Sequence, residues 1–203
     1  MGIVIHYNPA SQHGRRTRIA AIELGLDAEF TVVPFPSPAE YLALNPMGKV
    51  PTLVDGDFVL WESNAIMAYL AEQKPSAGLY GTDARSRAEV NRWLFWESAH
   101  FGNACITLTW ERLMKPMFQK QPPDDTMVAA GDRNFQRFAK VLDAHLANRE
   151  YVTGKLSIAD FAISTIAMYR NPAKLDTAAF PRLEAYLARM EARESWKQTQ
   201  PQF

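Results

Sequence analysis

The feature that constrains this chain most is a change in hydrophobic pattern near residue 75. Before it, β-rich runs alternate with helical ones: "IVIHY" precedes the helical repeat "RRTRIAAIEL", and "EFTVVPF" follows it. These three make a βαβ unit, and "PTLVDGDFVLW" then indicates two strands around the Asp55-Gly56 turn. The helix "SNAIMAYLAEQ" completes this part. The pattern predicts a small α/β sheet domain.

After the turn-rich stretch "KPSAGLYGTDARSR" the periodicity is almost entirely helical. Long helices are predicted over about 84–113 and 126–148, and shorter ones from residue 157 and near residue 181. The segment "SIADFAISTIAMY" is apolar on nearly every side, which predicts a central buried helix. We therefore divide the chain into a sheet domain, residues 1–75, and an all-helical domain, residues 84–203.

Charge and cysteine content narrow the function classes. Lysine plus arginine equals aspartate plus glutamate at 22 each, so no overall field draws the chain to nucleic acid or to an anionic membrane. The first residues lack the features of a signal peptide, and eighteen apolar residues never run together, which predicts a cytoplasmic protein. Cys105 is the only cysteine, and the four histidines lack metal-ligand spacing, so we expect no disulfide and no metal.

The stretch "NPMGKVPTLVDGDFVLWESNAIMAYL", residues 45–70, resembles the glutathione-binding half of the cytosolic glutathione transferases. Its shared features are an Asn-Pro, a Gly-x-Val-Pro, a hairpin, and a Glu-Ser that opens a helix. "TGKLSIAD" is similar to the helix-capping motif of the family, and "ARSRAEVNRWLFWESAHF" to the start of its first long helix. The resemblance covers essentially the whole chain and is closest to bacterial members of serine, nu or beta type. It implies a thioredoxin-like domain before the all-α domain, glutathione as co-substrate, and a homodimer.

The resemblance assigns glutathione contacts to the loop before the hairpin. In the family the peptide bond before the proline that matches Pro51 is cis. The backbone of the residue before it, Val50 in this chain, pairs with the cysteinyl part of glutathione like an added strand. Pro51 could equally start an edge strand, because proline cannot donate to a ladder. Lys49 can meet the glycyl carboxylate, or it is a solvated loop lysine.

Glu62 and Ser63 open the helix after the hairpin. Ser63 is predicted to be the N-cap, and the first-turn amides and the helix dipole form an anion site there. Glu62 can pair with an ammonium. The γ-glutamyl end of glutathione carries both charges on one carbon, so this pair of residues suits it. The alternative is a plain capping serine beside a solvated glutamate.

A glutathione transferase has to make the bound thiol more acidic, because the thiolate is the nucleophile. Lowering a thiol pKa from about 8.5 to about 6.5 needs about 2.7 kcal/mol, and one hydrogen bond to a charged group supplies about 1.5–3 kcal/mol. Ser11, at the start of the first helix, is therefore sufficient as the catalytic residue, and it aligns with the serine of the theta, delta and phi patterns. The loop has no cysteine for mixed-disulfide chemistry.

Other residues close to Ser11 in the sequence each have more than one possible function. Tyr7 is the second candidate for the thiolate contact. His13 stands where several relatives carry asparagine, so it either shares the sulfur with Ser11 or points to solvent. Arg15 and Arg16 either form a solvated face or raise the local potential for an anionic tripeptide.

The second substrate is expected against "WLFWESAHFGNACITLTWERL", with His100 and Phe101 as contacts. The tryptophans of this segment could also be core. We predict a detoxifying glutathione transferase acting on a small hydrophobic electrophile. A glutathione-dependent peroxidase or disulfide reductase on the same site, or a non-catalytic module that binds glutathione or a protein, are the alternatives. Ser157 and Asp160 are predicted to form a structural capping box.

Overall fold

The computed structural model describes residues 2–201. Its sheet has four strands in the order β2-β1-β3-β4. The strands are β1 (Ile3–Tyr7), β2 (Ala28–Val32), β3 (Thr52–Asp55) and β4 (Phe58–Trp61). β1 pairs in parallel with β2 and antiparallel with β3, and β3 pairs antiparallel with β4. The predicted βαβ unit and the predicted hairpin are both present.

Three helices accompany the sheet: α1 (Gln12–Leu24), α2 (Ala39–Leu44) and α3 (Ser63–Gln73). α1 connects β1 to β2 and packs against α3, and each of these two helices also packs on the sheet. Ile5 and Leu53, on the two central strands, are fully buried there. Gly25 ends α1 at a φ of 60°, a left-handed conformation that glycine adopts without strain, as its position in the sequence predicted.

The remaining helices are α4 (Ala84–Trp96), α5 (Gly102–Thr109), α6 (Lys115–Gln119), α7 (Asp125–His145), α8 (Ile158–Ile166), α9 (Pro181–Glu191) and α10 (Glu194–Gln198). The first three are joined by two π-helical segments, Glu97–Phe101 and Trp110–Met114. The first long helix therefore continues to residue 119 rather than ending near 113. Wider π turns often occur at functional positions, and the first of them contains His100.

Helix α8 is the centre of the helical core. All nine of its residues are buried, which confirms the predicted central helix. The capping box of Ser157 and Asp160 is also present. Both features follow from the apolar sequence after a Ser-x-x-Asp start.

The described residues form two compact units, one of residues 2–87 with 191–201 and one of residues 88–190. The last helix, α10, was not expected from the sequence, and it packs against α1. The all-helical domain was predicted to run to residue 203, so this unit division differs from it at the C-terminal end. Within residues 2–201 no helix has the length and apolarity needed to span a membrane, and no group of three or more acidic, histidine or cysteine residues is placed to hold a metal.

Candidate active site

Ser11 is the N-cap of α1, at the point where the loop after β1 turns into the helix. Its Oγ accepts a hydrogen bond of 3.0 Å from the backbone N–H of Gly14. A Cβ built on Gly14 would lie 3.2 Å from the Cβ of Tyr7 and 3.3 Å from that of Ser11, so glycine allows the first turn to approach the end of β1. The cap bond uses Ser11 only as an acceptor, which leaves its O–H able to donate to an anion in front of the helix.

A cleft of about 180 Å³ lies beside the start of α3. Its lining residues are His13, Asn45, Met47, Lys49, Val50, Pro51, Trp61, Glu62 and Ser63. All the residues to which the sequence analysis gave glutathione contacts are among them. Ser11 is outside this lining, two residues before His13 on the chain.

The loop that carries Lys49 is held from behind by Asn45, which is 2% exposed. Asn45 Nδ2 donates to the carbonyl oxygen of Lys49 at 2.7 Å and to Thr52 Oγ1 at 3.2 Å. The hydroxyl of Tyr41 donates to the same carbonyl oxygen at 2.8 Å. This supporting role of Asn45 was not predicted from the sequence, although Asn45 belongs to the Asn-Pro of the family pattern.

The peptide bond between Val50 and Pro51 is cis, as the resemblance implies. Pro51 precedes β3, a strand that is paired on both sides, so it does not start an edge strand. Within residues 2–201 neither the N–H nor the C=O of Val50 takes part in a hydrogen bond. Both groups are therefore available to a peptide-like ligand in the cleft.

The turn into α3 differs from the expectation in one respect. The helix begins at Ser63, and the N-cap is Glu62, which makes no side-chain cap bond. Glu62 has a φ of 74°, a conformation that costs a residue other than glycine about 1–3 kcal/mol and tends to occur at functional sites. Glu62 is exposed at the cleft, and Ser63, although largely buried, lines the same cleft.

Arg15 and Arg16 are 3% and 1% exposed, so the interpretation of this pair as a solvated face is wrong. Arg16 Nη1 donates to Asn64 Oδ1 at 3.1 Å and to Ser63 Oγ at 3.5 Å. The guanidinium thus lies behind the first turn of α3. Its positive charge adds to the positive potential that the backbone amides of this turn present to the cleft.

His13 lines the cleft and is partly buried rather than directed to solvent. Its Nδ1 lies 3.4 Å from Ser63 Oγ. Desolvation by burial, followed by the charges of Arg16 and Lys49, lowers the pKa of His13 to about 3. His13 is therefore a neutral imidazole at pH 7, with one ring nitrogen that donates and one that accepts.

A nuclear magnetic resonance titration can check this protonation state. The ring signals of His13 in the ligand-free protein are expected to stay unchanged between pH 8 and pH 5, because its pKa is lowered to about 3. In the urea-unfolded chain the same ring should titrate near its ordinary value of 6.5. A folded-state midpoint near 6 would contradict the buried position of the ring.

Tyr7, the second candidate for the thiolate contact, ends β1. Its ring lies 4.3 Å from the guanidinium carbon of Arg18 and packs edge-on against Phe30. The ring is thus part of the packing between α1 and the sheet.

The two residues expected to contact the second substrate are in different environments. His100 is exposed and lines a cavity of about 300 Å³ in the second unit, beside Phe138. Phe101 is fully buried, with its ring stacked on Trp96 and close to Phe135. The expectation for Phe101 was wrong, because its side chain points into the core.

A mixed four-stranded sheet flanked by α1 and α3, followed by a helical region, defines a protein with a thioredoxin-like domain and an all-α domain. Family models agree with this: "Glutathione S-transferase, N-terminal domain" matches residues 10–73 and "Glutathione S-transferase, C-terminal domain" matches residues 104–194. The chain belongs to the glutathione S-transferase family.

Individual relatives cover nearly the whole chain. Glutathione S-transferase theta-3 of Mus musculus is 32% identical over 95% of this chain and 83% of the mouse protein. Glutathione S-transferase 3 of Zea mays is 34% identical over 94% of this chain and 90% of its own length. The crystal structure of the theta class glutathione S-transferase from Xanthomonas axonopodis pv. citri, which has glutathione bound, is 31% identical. It covers 98% of this chain and 97% of its own, with a TM-score of 0.86.

Proposed function

We propose that this protein is a glutathione transferase, in which Ser11 stabilises the thiolate of glutathione bound in the cleft beside α3. The thiolate then attacks a small hydrophobic electrophile. One observation carries the proposal: His13, Lys49, Val50, Pro51, Glu62 and Ser63, the residues predicted to bind glutathione, line a single cleft next to the helix that Ser11 caps.

The cleft offers a complementary group to each part of glutathione. The γ-glutamyl carboxylate meets Ser63 and the first-turn amides of α3, with Arg16 behind them, and the ammonium meets Glu62. The backbone of Val50 pairs with the cysteinyl amide, and Lys49 meets the glycyl carboxylate. This arrangement directs the cysteinyl sulfur toward the start of α1.

At the sulfur we assign the main contact to the O–H of Ser11. A hydrogen bond from this hydroxyl favours the anion, and the helix N-terminus adds about 0.3–1 kcal/mol. The neutral ring of His13 can donate a second hydrogen bond to the sulfur.

We further propose that His100 contacts the second substrate and that the protein acts in the cytoplasm as a homodimer. His100 is exposed beside a cavity that Met127 and Phe138 also line, which supports the first point. Equilibrium sedimentation tests the dimer, and a monomer at micromolar concentration would rule it out.

Binding to immobilised glutathione, followed by an assay with a chloronitrobenzene, tests the proposed activity. Parallel assays with a hydroperoxide and a glutathione-containing disulfide distinguish a transferase from a peroxidase or a disulfide reductase, since all three use the same thiolate. Binding without turnover in every assay would leave a non-catalytic glutathione-binding module. Failure to bind glutathione would overturn the proposal.

A further inference from the structure

The C-terminal segment of the chain is bound to the helix that carries Ser11. Two groups of contacts join them, one at each end of α1. We call the four residues that make these contacts the C-terminal latch: Arg193, Ser195, Trp196 and Thr199. All of them belong to the same compact unit as α1.

The first group of contacts surrounds Arg15, in the first turn of α1. Its guanidinium carbon lies 3.9 Å from the ring centroid of Trp196. Nη2 donates to the carbonyl oxygen of Trp196 at 2.8 Å, and Nε donates to Thr199 Oγ1 at 3.3 Å. Burying a guanidinium costs free energy unless its N–H groups have hydrogen-bond acceptors. Because the guanidinium is planar, the bonds to Trp196 and Thr199 together fix its orientation. The side chain of Arg15 therefore has a well-defined position.

The second group lies at the other end, around Glu23. Arg193 donates to the two carboxylate oxygens of Glu23, from Nε at 2.8 Å and from Nη2 at 2.7 Å, and the hydroxyl of Ser195 donates as well. Burial raises the pKa of Glu23, but the bonds from Arg193 and Ser195 outweigh it and hold the pKa below its ordinary value. The ion pair is thus present at neutral pH.

We propose that the C-terminal latch positions Ser11, and that Arg15 is the positioning residue through which it acts. This inference rests on the proposed function for its catalytic meaning. Arg15 is four residues after Ser11, and its backbone N–H donates to the carbonyl oxygen of Ser11 at 2.9 Å. A fixed Arg15 side chain therefore fixes the first turn of α1 and the Gly14 bond that orients the hydroxyl of Ser11.

Activation of the glutathione thiol depends steeply on the position of the Ser11 hydroxyl. A hydroxyl that is shifted by about 1 Å loses much of its effect on a reacting atom. The latch holds α1 at both ends, so that the cap of the helix does not move when the cleft is filled. A helix anchored only by its apolar face would have more freedom to slide along the sheet.

The test compares Arg15→Met, which removes the guanidinium, with Trp196→Leu, which removes the stacking ring and leaves the charge unchanged. Arg112→Met is the matched control, because Arg112 also donates to backbone carbonyls, those of Ala173 and Lys174, but in the second unit. Amide hydrogen exchange of Gly14 reports the Ser11 cap bond directly and needs no ligand. We expect it to be about tenfold faster in Arg15→Met, several-fold faster in Trp196→Leu and unchanged in Arg112→Met.

The second readout is the thiol pKa of glutathione bound to each variant, followed by the ultraviolet absorbance of the thiolate. Arg15→Met is expected to lower the thiolate fraction three- to tenfold at a pH below the wild-type pKa. Combining it with Ser11→Ala should add nothing to the effect of Ser11→Ala alone, because Arg15 acts through Ser11.

Unchanged Gly14 exchange in Trp196→Leu would overturn the latch, and so would additive effects of Arg15→Met and Ser11→Ala on the thiol pKa. If Arg15→Met does not fold, the exchange rates of the Gly14 amide in Trp196→Leu and Thr199→Val test the latch instead. Faster exchange supports the latch, and unchanged exchange overturns it. A wild-type protein that does not bind glutathione would overturn the proposed function, while Gly14 exchange would still decide whether the latch holds the cap.

Discussion

Replacing Ser11 by alanine is expected to lower kcat/KM for conjugation by about 10- to 150-fold and to raise the thiol pKa of bound glutathione by about one to two units. The reason is the loss of one hydrogen bond to a charged sulfur, which contributes about 1.5–3 kcal/mol, and each pKa unit corresponds to 1.36 kcal/mol. The affinity for glutathione should change little, because the residues that hold its two ends are untouched. Thiolate absorbance and steady-state kinetics on the same preparations measure both effects.

Two further variants separate the thiolate contact from the helix cap. Ser11 also caps α1, and replacing such a cap by alanine costs about 1 kcal/mol of stability, whereas glycine costs only a few tenths. Ser11→Gly should therefore lose as much activity as Ser11→Ala while keeping most of the stability. Ser11→Thr keeps a hydroxyl and should retain most of the activity. A bound thiol that titrates as in the wild type in both the alanine and the glycine variants would remove Ser11 from its role.

Local signals in the sequence were enough to predict most of the first unit. The alternation of β-rich and helical runs, Gly25 and the Asp55-Gly56 turn each act over a few residues, and the corresponding elements are present. The residues that line the cleft were implied by the family resemblance, and the hairpin between Val50 and Ser63 brings these two residues to the same cleft. Apart from the cleft, each of these predictions depends on residues that are close together in the sequence.

The burial of Arg15 and Arg16, which the sequence did not predict, depends on contacts with residues that are distant in the sequence. Arg15 looks solvent-exposed in the sequence because its partners, Trp196 and Thr199, come more than 180 residues later. Arg16 is buried by contact with Ser63 and Asn64, and the helical periodicity of its own segment does not show this contact.

A single backbone angle accounts for the error at the start of α3. Ser63 was expected to be the N-cap because serine prefers that position. The positive φ of Glu62 instead places Ser63 inside the first turn.

The largest expected effect on stability comes from Asp160→Ala. Asp160 is fully buried and accepts hydrogen bonds from the backbone N–H groups of Val152 and Ser157, at 3.0 and 2.8 Å, and from the hydroxyls of Ser157 and Tyr186. Removing the carboxylate leaves several buried donors unpaired, each at about 1–3 kcal/mol, so the free energy of unfolding should fall by about 3 kcal/mol or more. Urea denaturation measures this.

Asp124→Ala is the matched control for this substitution. Asp124 also accepts bonds from backbone N–H groups at the start of a helix, those of Thr126 and Met127, but at an exposed position. Its loss should cost about 1 kcal/mol, the ordinary value for a cap. Equal losses in the two variants would mean that the buried network around Asp160 contributes no more than a surface cap.

The same carboxyl group should give the stability a defined dependence on pH. Burial raises the pKa of Asp160 to about 6, although the bonds from Val152, Ser157 and Tyr186 act to lower it, and the unfolded value is 3.8. Because the folded state holds the proton more tightly, the stabilisation is complete below pH 3.8 and is lost as the pH rises through about 6.

Asp160→Asn cannot titrate at this position, so it isolates the contribution of the carboxyl group. The stability of the wild type relative to this variant should fall by about 2.5 kcal/mol between pH 4 and pH 7, since the pKa differs by about two units between the folded and unfolded states. A relative stability that stays constant or rises over this range would show that the donors around Asp160 outweigh its burial and keep it ionised in the folded protein.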